Sequence, residues 1–259
     1  MTVPAIALTD PAGAAGAPLL VLGPSLGTST LLWDRVIPAL AEHYRVVAWD
    51  LPGHGAAPAS TDAFTIAELA DAVADAVQGP FRYAGVSLGG AVGLELLLRH
   101  RDRVTAAAIL CSGAAIGTSE GWHERAAQVR AQSTSSLIIG SAQRWFAPGS
   151  IERDPDLTGR LLHVLQNTDD ESYARCCDAL AAFDVRDRLG EIATPVLAVW
   201  GDHDAVTPEA SAREIAAGVR HGQAIGIPDA SHLAPADSPA ATAAVLLDFF
   251  ATVAAERAA

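Results

Sequence analysis

A serine hydroxyl is a weak nucleophile at neutral pH until a neighbouring base takes its proton. The strongest local signal for such chemistry is Gly85-Val86-Ser87-Leu88-Gly89, a G-x-S-x-G sequence between the apolar run Phe81 to Val86 and a helical run. A strand turning abruptly into a helix holds the serine in a strained conformation, and bulky neighbours would clash there, which accounts for the glycines. The helix N-terminus beneath the serine favours developing negative charge. Ser87 is therefore the expected nucleophile.

The chain order that accompanies such an elbow is Ser, then Asp, then His, and only His203, His221 and His232 lie late enough. His232, in Asp229-Ala230-Ser231-His232-Leu233, sits in a loop between the run Ala224 to Ile227 and the last helix, which suits a base. His221 precedes that run and reads as solvent-exposed, and His203 reads as a loop residue. In Gly201-Asp202-His203-Asp204-Ala205-Val206-Thr207-Pro208, Asp204 has the G-x-x-D-x-x-x-P placement and is favoured as the acid over Asp202, which is left to brace the turn. Its task would be to hold the imidazole tautomer and stabilise the imidazolium.

An oxyanion needs two backbone amides: one from Leu88, after the nucleophile, and one from the loop Gly23-Pro24-Ser25-Leu26-Gly27-Thr28. Pro24 cannot donate. Leu26 is assigned by position, with Ser25 as the alternative.

These residues must be positioned by a scaffold. Short apolar runs (Leu19 to Leu22, Val46 to Trp49, Phe81 to Val86, Thr105 to Cys111, Val196 to Trp200, Ala224 to Ile227) alternate with amphipathic stretches at 66–77, 91–100, 209–219 and 242–255. Such alternation implies an α/β fold, a mostly parallel sheet flanked by helices. Strand signals stop between Cys111 and Val196, where 122–131, 136–146, 157–166 and 172–183 read as helices. A core of residues 1–116 and 191–259 with an inserted helical cap at 117–190 is expected.

The 259 residues carry 17 basic and 30 acidic side chains, a net charge of -13. No basic cluster offers a footprint for phosphates, so nucleic acid is not an expected partner. Cys111, Cys176 and Cys177 suggest neither a disulfide framework nor zinc spacing, and a reducing cytoplasm is expected. The N-terminus has no leader pattern, and no window reads as apolar over the roughly 18 residues needed to cross a bilayer, so no membrane association is expected.

Asp50-Leu51-Pro52-Gly53-His54-Gly55 looks like the D-x-x-G-H-G turn common in α/β-hydrolases, which makes His54 structural. Together the motifs resemble the α/β-hydrolase superfamily over essentially the whole chain. Three stretches are similar more narrowly to 3-oxoadipate enol-lactonases: Ser25-Leu26-Gly27-Thr28 with Trp33-Asp34; Leu110 to Thr118 continuing to Trp122, Arg125, Val129 and Arg130; and Arg144-Trp145-Phe146 with Ser231-His232-Leu233. Pro24 and Ser29 depart from the first pattern, and Pro52 stands where the related turn often has Arg.

The resemblance implies hydrolysis of a small anionic lactone, 3-oxoadipate enol-lactone, in aromatic catabolism, without metal or organic cofactor. Because that substrate bears a carboxylate, a cation must face the cleft; among Arg125, Arg130 and Arg144, the expected set is Arg130 and Arg144 with Trp145 as an apolar wall. A general carboxylesterase or lactonase, or a carbon-carbon bond hydrolase with the same triad, is the alternative. A non-catalytic ligand-binding member is disfavoured by the intact Ser87, Asp204 and His232.

Overall fold

The computed structural model describes residues 3–258. Seven strands form one sheet: β1 (Ala7–Leu8), β2 (Leu19–Gly23), β3 (Arg45–Asp50), β4 (Phe81–Val86), β5 (Val104–Leu110), β6 (Val196–Gly201) and β7 (Gly222–Ile227). Their spatial order is β1-β3-β2-β4-β5-β6-β7, with β1 antiparallel to β3 and all other pairings parallel. Parallel strands are covered on both faces, which is why β2 to β6 read as continuous apolar runs rather than alternating ones.

Helices α1 (Ile37–Ala41), α2 (Ile66–Ala76), α3 (Leu88–Arg99), α9 (Glu209–Gly218) and α11 (Pro239–Ala258) flank the sheet. Between β5 and β6 lie α4 (Ser119–Gln132), α5 (Ile138–Trp145), α6 (Ser150–Arg153), α7 (Pro155–Asn167) and α8 (Asp170–Ala181), and the short α10 (Ala234–Asp237) follows β7. Local chemistry sets the helix starts. At α2, for example, Thr65 Oγ1 accepts from the Glu68 amide at 3.1 Å while the Glu68 carboxylate accepts from the Thr65 amide at 2.9 Å.

Winding reverses at β2, which has β3 on one side and β4 on the other. In open α/β sheets the crevice outside the carboxyl ends at such a reversal is where ligands bind. Register aligns those ends: Gly23 pairs with Gly85, Val86 with Leu110, and Gly201 with Ile227. The loops after β2, β4, β5, β6 and β7 therefore open on one edge. Beneath them Trp33, Trp49, Phe81, Tyr83 and Phe250 are fully buried.

The elements expected from sequence are present, with boundary shifts that have local causes. α3 begins at Leu88 rather than Ala91, because the elbow serine is itself the residue preceding the helix. The stretch 136–146 divides into a 3-10 turn at Thr134–Leu137 and α5. The two-residue β1 and the four- and five-residue helices α1, α6 and α10 are too short for a periodic signal. All three cysteines are free and buried. One expectation is corrected: residues 239–256 in α11 have a mean hydropathy of 1.3 over 18 residues, apolar and long enough to span a bilayer by length and composition. Its alanines contribute to that value together with its Val, Leu and Phe residues, of which Leu246, Phe249, Phe250 and Val253 pack into the core.

Candidate active site

Ser87 directly follows β4 with φ 55 and ψ -115, a backbone conformation L-residues rarely adopt. The strain is held by its surroundings: the Ser87 amide donates to Leu110 O at 2.9 Å and Ser112 Oγ donates to Ser87 O at 2.8 Å. The flanking glycines are explained by close approach. A Cβ on Gly85 would lie 2.3 Å from the Gly89 carbonyl oxygen, and one on Gly89 would lie 2.5 Å from that of Pro24. Gly89 N–H donates to Pro24 O at 3.0 Å, so the elbow and the loop after β2 are joined directly.

That loop is braced internally. Ser25 N–H donates to Thr28 Oγ1 at 3.1 Å, and Thr28 Oγ1 returns a bond to Ser25 O at 2.8 Å. The Ser25 amide is thus engaged, whereas the Leu26 and Leu88 amides donate to nothing among the described residues. Unengaged amides are the condition an oxyanion site requires. Gly27, at φ +81, lies where a Cβ would press within 2.8 Å of Leu165 and 3.3 Å of Trp145.

His54 holds the loop from below. Gly27 N–H donates to its Nε2 at 3.2 Å, so the ring proton is on Nδ1, which faces Pro52 O at 2.9 Å. Complete burial lowers its pKa to about 4, so it is neutral at physiological pH. Asp50, at the start of the same turn, accepts from Thr30 N–H at 2.7 Å and Ala56 N–H at 2.8 Å.

Asp204 and His232 are brought together by the loops after β6 and β7. His232 Nδ1 lies 3.0 Å from Asp204 Oδ2, with both residues buried. Since a carboxylate only accepts, Nδ1 carries the proton and Nε2 is left as an acceptor. Val206 N–H and Thr207 N–H also donate to Asp204 Oδ1, at 2.8 and 3.1 Å, and Thr207 Oγ1 donates to Oδ2 at 2.8 Å. Burial alone would raise this carboxyl; bonds from His232 and Thr207 outweigh it and hold the group below the usual carboxylate range. Asp202, His203 and His221 are exposed.

Ser87 and His232 open on one cavity of about 290 Å³, lined also by Ser25, Leu26, Ile116, Trp122, Trp145 and Val206. No direct bond joins Ser87 Oγ to His232 among the described residues; such bonds tighten once substrate is present. Arg125, Arg144 and Tyr173 also line the cavity. Neither guanidinium forms a salt bridge among the described residues. Arg125 stacks 5.2 Å above the Trp122 ring. Arg144 is half-buried, and burial together with the charge of Arg125 pushes its pKa down.

Arg130 is elsewhere, contrary to the expectation that it faces substrate. Its guanidinium binds Glu171 at 2.9 Å and Asp178 at 2.8 Å, outside the cavity. The reason is helical geometry: residues five apart on α4 point about 140° apart, so Arg125 and Arg130 cannot share a face. Thr207, Tyr173 and the inward aim of Arg125 escaped sequence reasoning. Thr207 lies inside the quoted Gly201 to Pro208 stretch, where a hydroxyl three residues after the acid was the available signal. Nothing local marks Tyr173.

This arrangement is that of a hydrolase with esterase or lactonase chemistry. Residues 18–239 match the family model described as alpha/beta hydrolase fold, and the chain belongs to that family. It is similar to 3-oxoadipate enol-lactonase 2 of Acinetobacter baylyi, with 34% identity over 233 residues, covering 88% of this chain and 87% of that one. It is also similar to a pimeloyl-[acyl-carrier protein] methyl ester esterase of Neisseria meningitidis, with 31% identity over 86% of this chain and 90% of the other. Among solved structures, the enol-lactonase from Burkholderia xenovorans superposes with a TM-score of 0.91 at 31% identity, covering 95% of this chain and 96% of that one.

Proposed function

We propose that this protein opens the ring of 3-oxoadipate enol-lactone, with Ser87 as nucleophile, His232 as base, Asp204 as the orienting acid, and residues 117–190 as a cap over the site. The observation that carries the substrate class is the pair Arg125 and Arg144. In a chain of net charge -13, two guanidiniums without carboxylate partners among the described residues share the cavity that holds Ser87. Placing two cations together in a half-buried wall is unfavourable unless an anion completes it. Trp145 supplies an apolar wall, and the Tyr173 hydroxyl adds a neutral donor.

In this mechanism Ser87 Oγ attacks the lactone carbonyl carbon and its proton passes to His232 Nε2. The oxyanion lies against the amides of Leu26 and Leu88, and Asp204 stabilises the imidazolium. Collapse breaks the ring carbon-oxygen bond, and His232 returns the proton to the leaving enol oxygen, giving an acyl-enzyme. Water deprotonated by His232 then attacks that ester, and the carboxylate leaves with Ser87 restored. Tautomerisation of the enol to a ketone makes ring opening strongly downhill.

The similarity to a methyl ester esterase supports a second reading, hydrolysis of simple carboxylic esters. Both are tested by following loss of the enol-lactone, generated in situ from its muconolactone precursor, and hydrolysis of p-nitrophenyl acetate, each with wild type and Ser87→Ala. Efficient Ser87-dependent turnover of the lactone is expected. Negligible lactone turnover with retained Ser87-dependent ester cleavage would replace the lactonase by an esterase.

A further inference from the structure

His232 stands in a loop hydrogen-bonded, on both sides of it, to the end of α5. Before it, Ser231 Oγ lies 3.0 Å from Arg144 O and 3.2 Å from His203 O. After it, Leu233 N–H donates to Trp145 O at 3.0 Å. These bonds satisfy carbonyls that a helix C-terminus leaves unpaired. Arg144 and Trp145 are themselves cavity residues.

A third link is a carboxylate. Asp237, the last residue of α10, is 7% exposed, and its Oδ2 accepts from Ser231 N–H at 2.7 Å and from Ala147 N–H at 3.0 Å. Its Oδ1 is buried with no hydrogen-bond partner among the described residues. A buried carboxylate with one unsatisfied oxygen is a poor means of adding stability. A single atom that clasps the amide just before the base and the amide just beyond Trp145 sets their separation.

We propose that Asp237 is a positioning residue that fixes the base His232 relative to the substrate-contacting pair Arg144 and Trp145. Removing the clasp lets both sides shift, so a base and an anion-binding wall that act on different parts of the substrate lose their common frame. This inference rests on the assignment of His232 as base.

The test uses the full chain with Asp237→Ala, Asp237→Asn, Asp237→Glu and His232→Ala. The probes are p-nitrophenyl acetate, which lacks a carboxylate, and mono-p-nitrophenyl adipate, which carries one. Assays run at a temperature where circular dichroism shows each variant folded. Asp237→Ala is expected to lower kcat on both esters by about 100-fold, the scale of a 1 Å misplacement. It should raise KM about tenfold on the adipate ester alone, the scale of one weakened charge-assisted hydrogen bond. Asp237→Asn, which keeps an oxygen for both amides, should recover most of both effects.

A folded Asp237→Ala with a lowered Tm but kcat and KM near wild type overturns the proposal, since a merely structural brace behaves that way. Should Asp237→Ala fail to fold, Asp237→Glu decides: it keeps the carboxylate but moves it by one methylene, so kcat on both esters should fall and KM should rise on the adipate ester alone, and constants near wild type overturn the proposal. Activity persisting in His232→Ala would instead sink the base assignment. Activity lost there but intact in Asp237→Ala sinks only the role of Asp237.

Discussion

Replacing Arg144 by Gln separates binding from stability in a way few substitutions can. The guanidinium is half-buried, faces the cavity, and forms no salt bridge among the described residues, so its removal strands no partner. Burial and the Arg125 charge both disfavour its charged form, which means the folded state holds this cation less favourably than the unfolded state does. Loss of the charge should leave the urea midpoint unchanged or slightly higher. Binding should change in the opposite direction. A charge-assisted hydrogen bond to a substrate carboxylate contributes about 2 kcal/mol, so kcat/KM for the enol-lactone should fall by about thirtyfold. Hydrolysis of p-nitrophenyl acetate, which offers no carboxylate, should change by less than about threefold, the scale left when no charged hydrogen bond is lost. The comparison needs only steady-state rates on the two substrates and a denaturation curve. Equal losses on both substrates would refute the anion-wall reasoning, as would a large drop in stability.

Three further outcomes follow from the site. Thr207→Val removes one donor from Asp204 Oδ2 while keeping the side-chain volume, and should lower kcat by about tenfold, the scale of one hydrogen bond to a charged group; Thr207→Ser should restore it, and kcat unchanged in both variants contradicts the role given to the hydroxyl. His54 has a folded pKa of about 4 against about 6.5 when unfolded, so its contribution is complete above pH 6.5 and is lost as pH falls toward 4, a change of about 3 kcal/mol; urea midpoints at pH 7 and 4.5 should therefore lie closer together in His54→Gln, and an unchanged pH dependence rejects a buried neutral ring. Arg130→Gln loses exposed ion pairs to Glu171 and Asp178 and should leave kcat/KM untouched while costing under about 1 kcal/mol of stability; a rise in KM for the lactone would put Arg130 back at the substrate.

What could be read from sequence is what is encoded by contiguous residues. The elbow around Ser87, the Asp204 turn and the Ser231-His232-Leu233 loop each state their geometry in a few neighbouring positions, because strand-to-helix and strand-to-loop turns are local problems. Strands β2 to β6 were legible for a related reason: burial on both faces makes each a largely continuous apolar run, whereas β7 at the sheet edge is mostly exposed. The illegible parts depend on distant partners. The proposed preference for Leu26 over Ser25 rests on the Thr28 side chain claiming the Ser25 amide, which is a matter of conformation rather than of residue type. Tyr173 reaches the cavity from α8, far from any motif. Arg130 misled because a helix face was judged by residue type without its angular position, and the alanine-rich α11 because composition alone does not say what a helix packs on.

The cavity is built by loops after five strands, from Leu26 near the beginning of the chain to His232 near its end. The aspartate and histidine lie on the far side of a long helical excursion from the serine, and β7, which delivers the histidine loop, is added at the outer edge of the sheet. Pairings of such sequence separation form slowly, and a chain emerging from the ribosome already presents the elbow before β6 and β7 exist. On the proposed mechanism, hydrolysis therefore has to await the docking of β7 and the loop that carries His232. Recovery of turnover after dilution from denaturant should then lag behind recovery of helical circular dichroism, which makes hydrolysis itself a clock for the last step of folding.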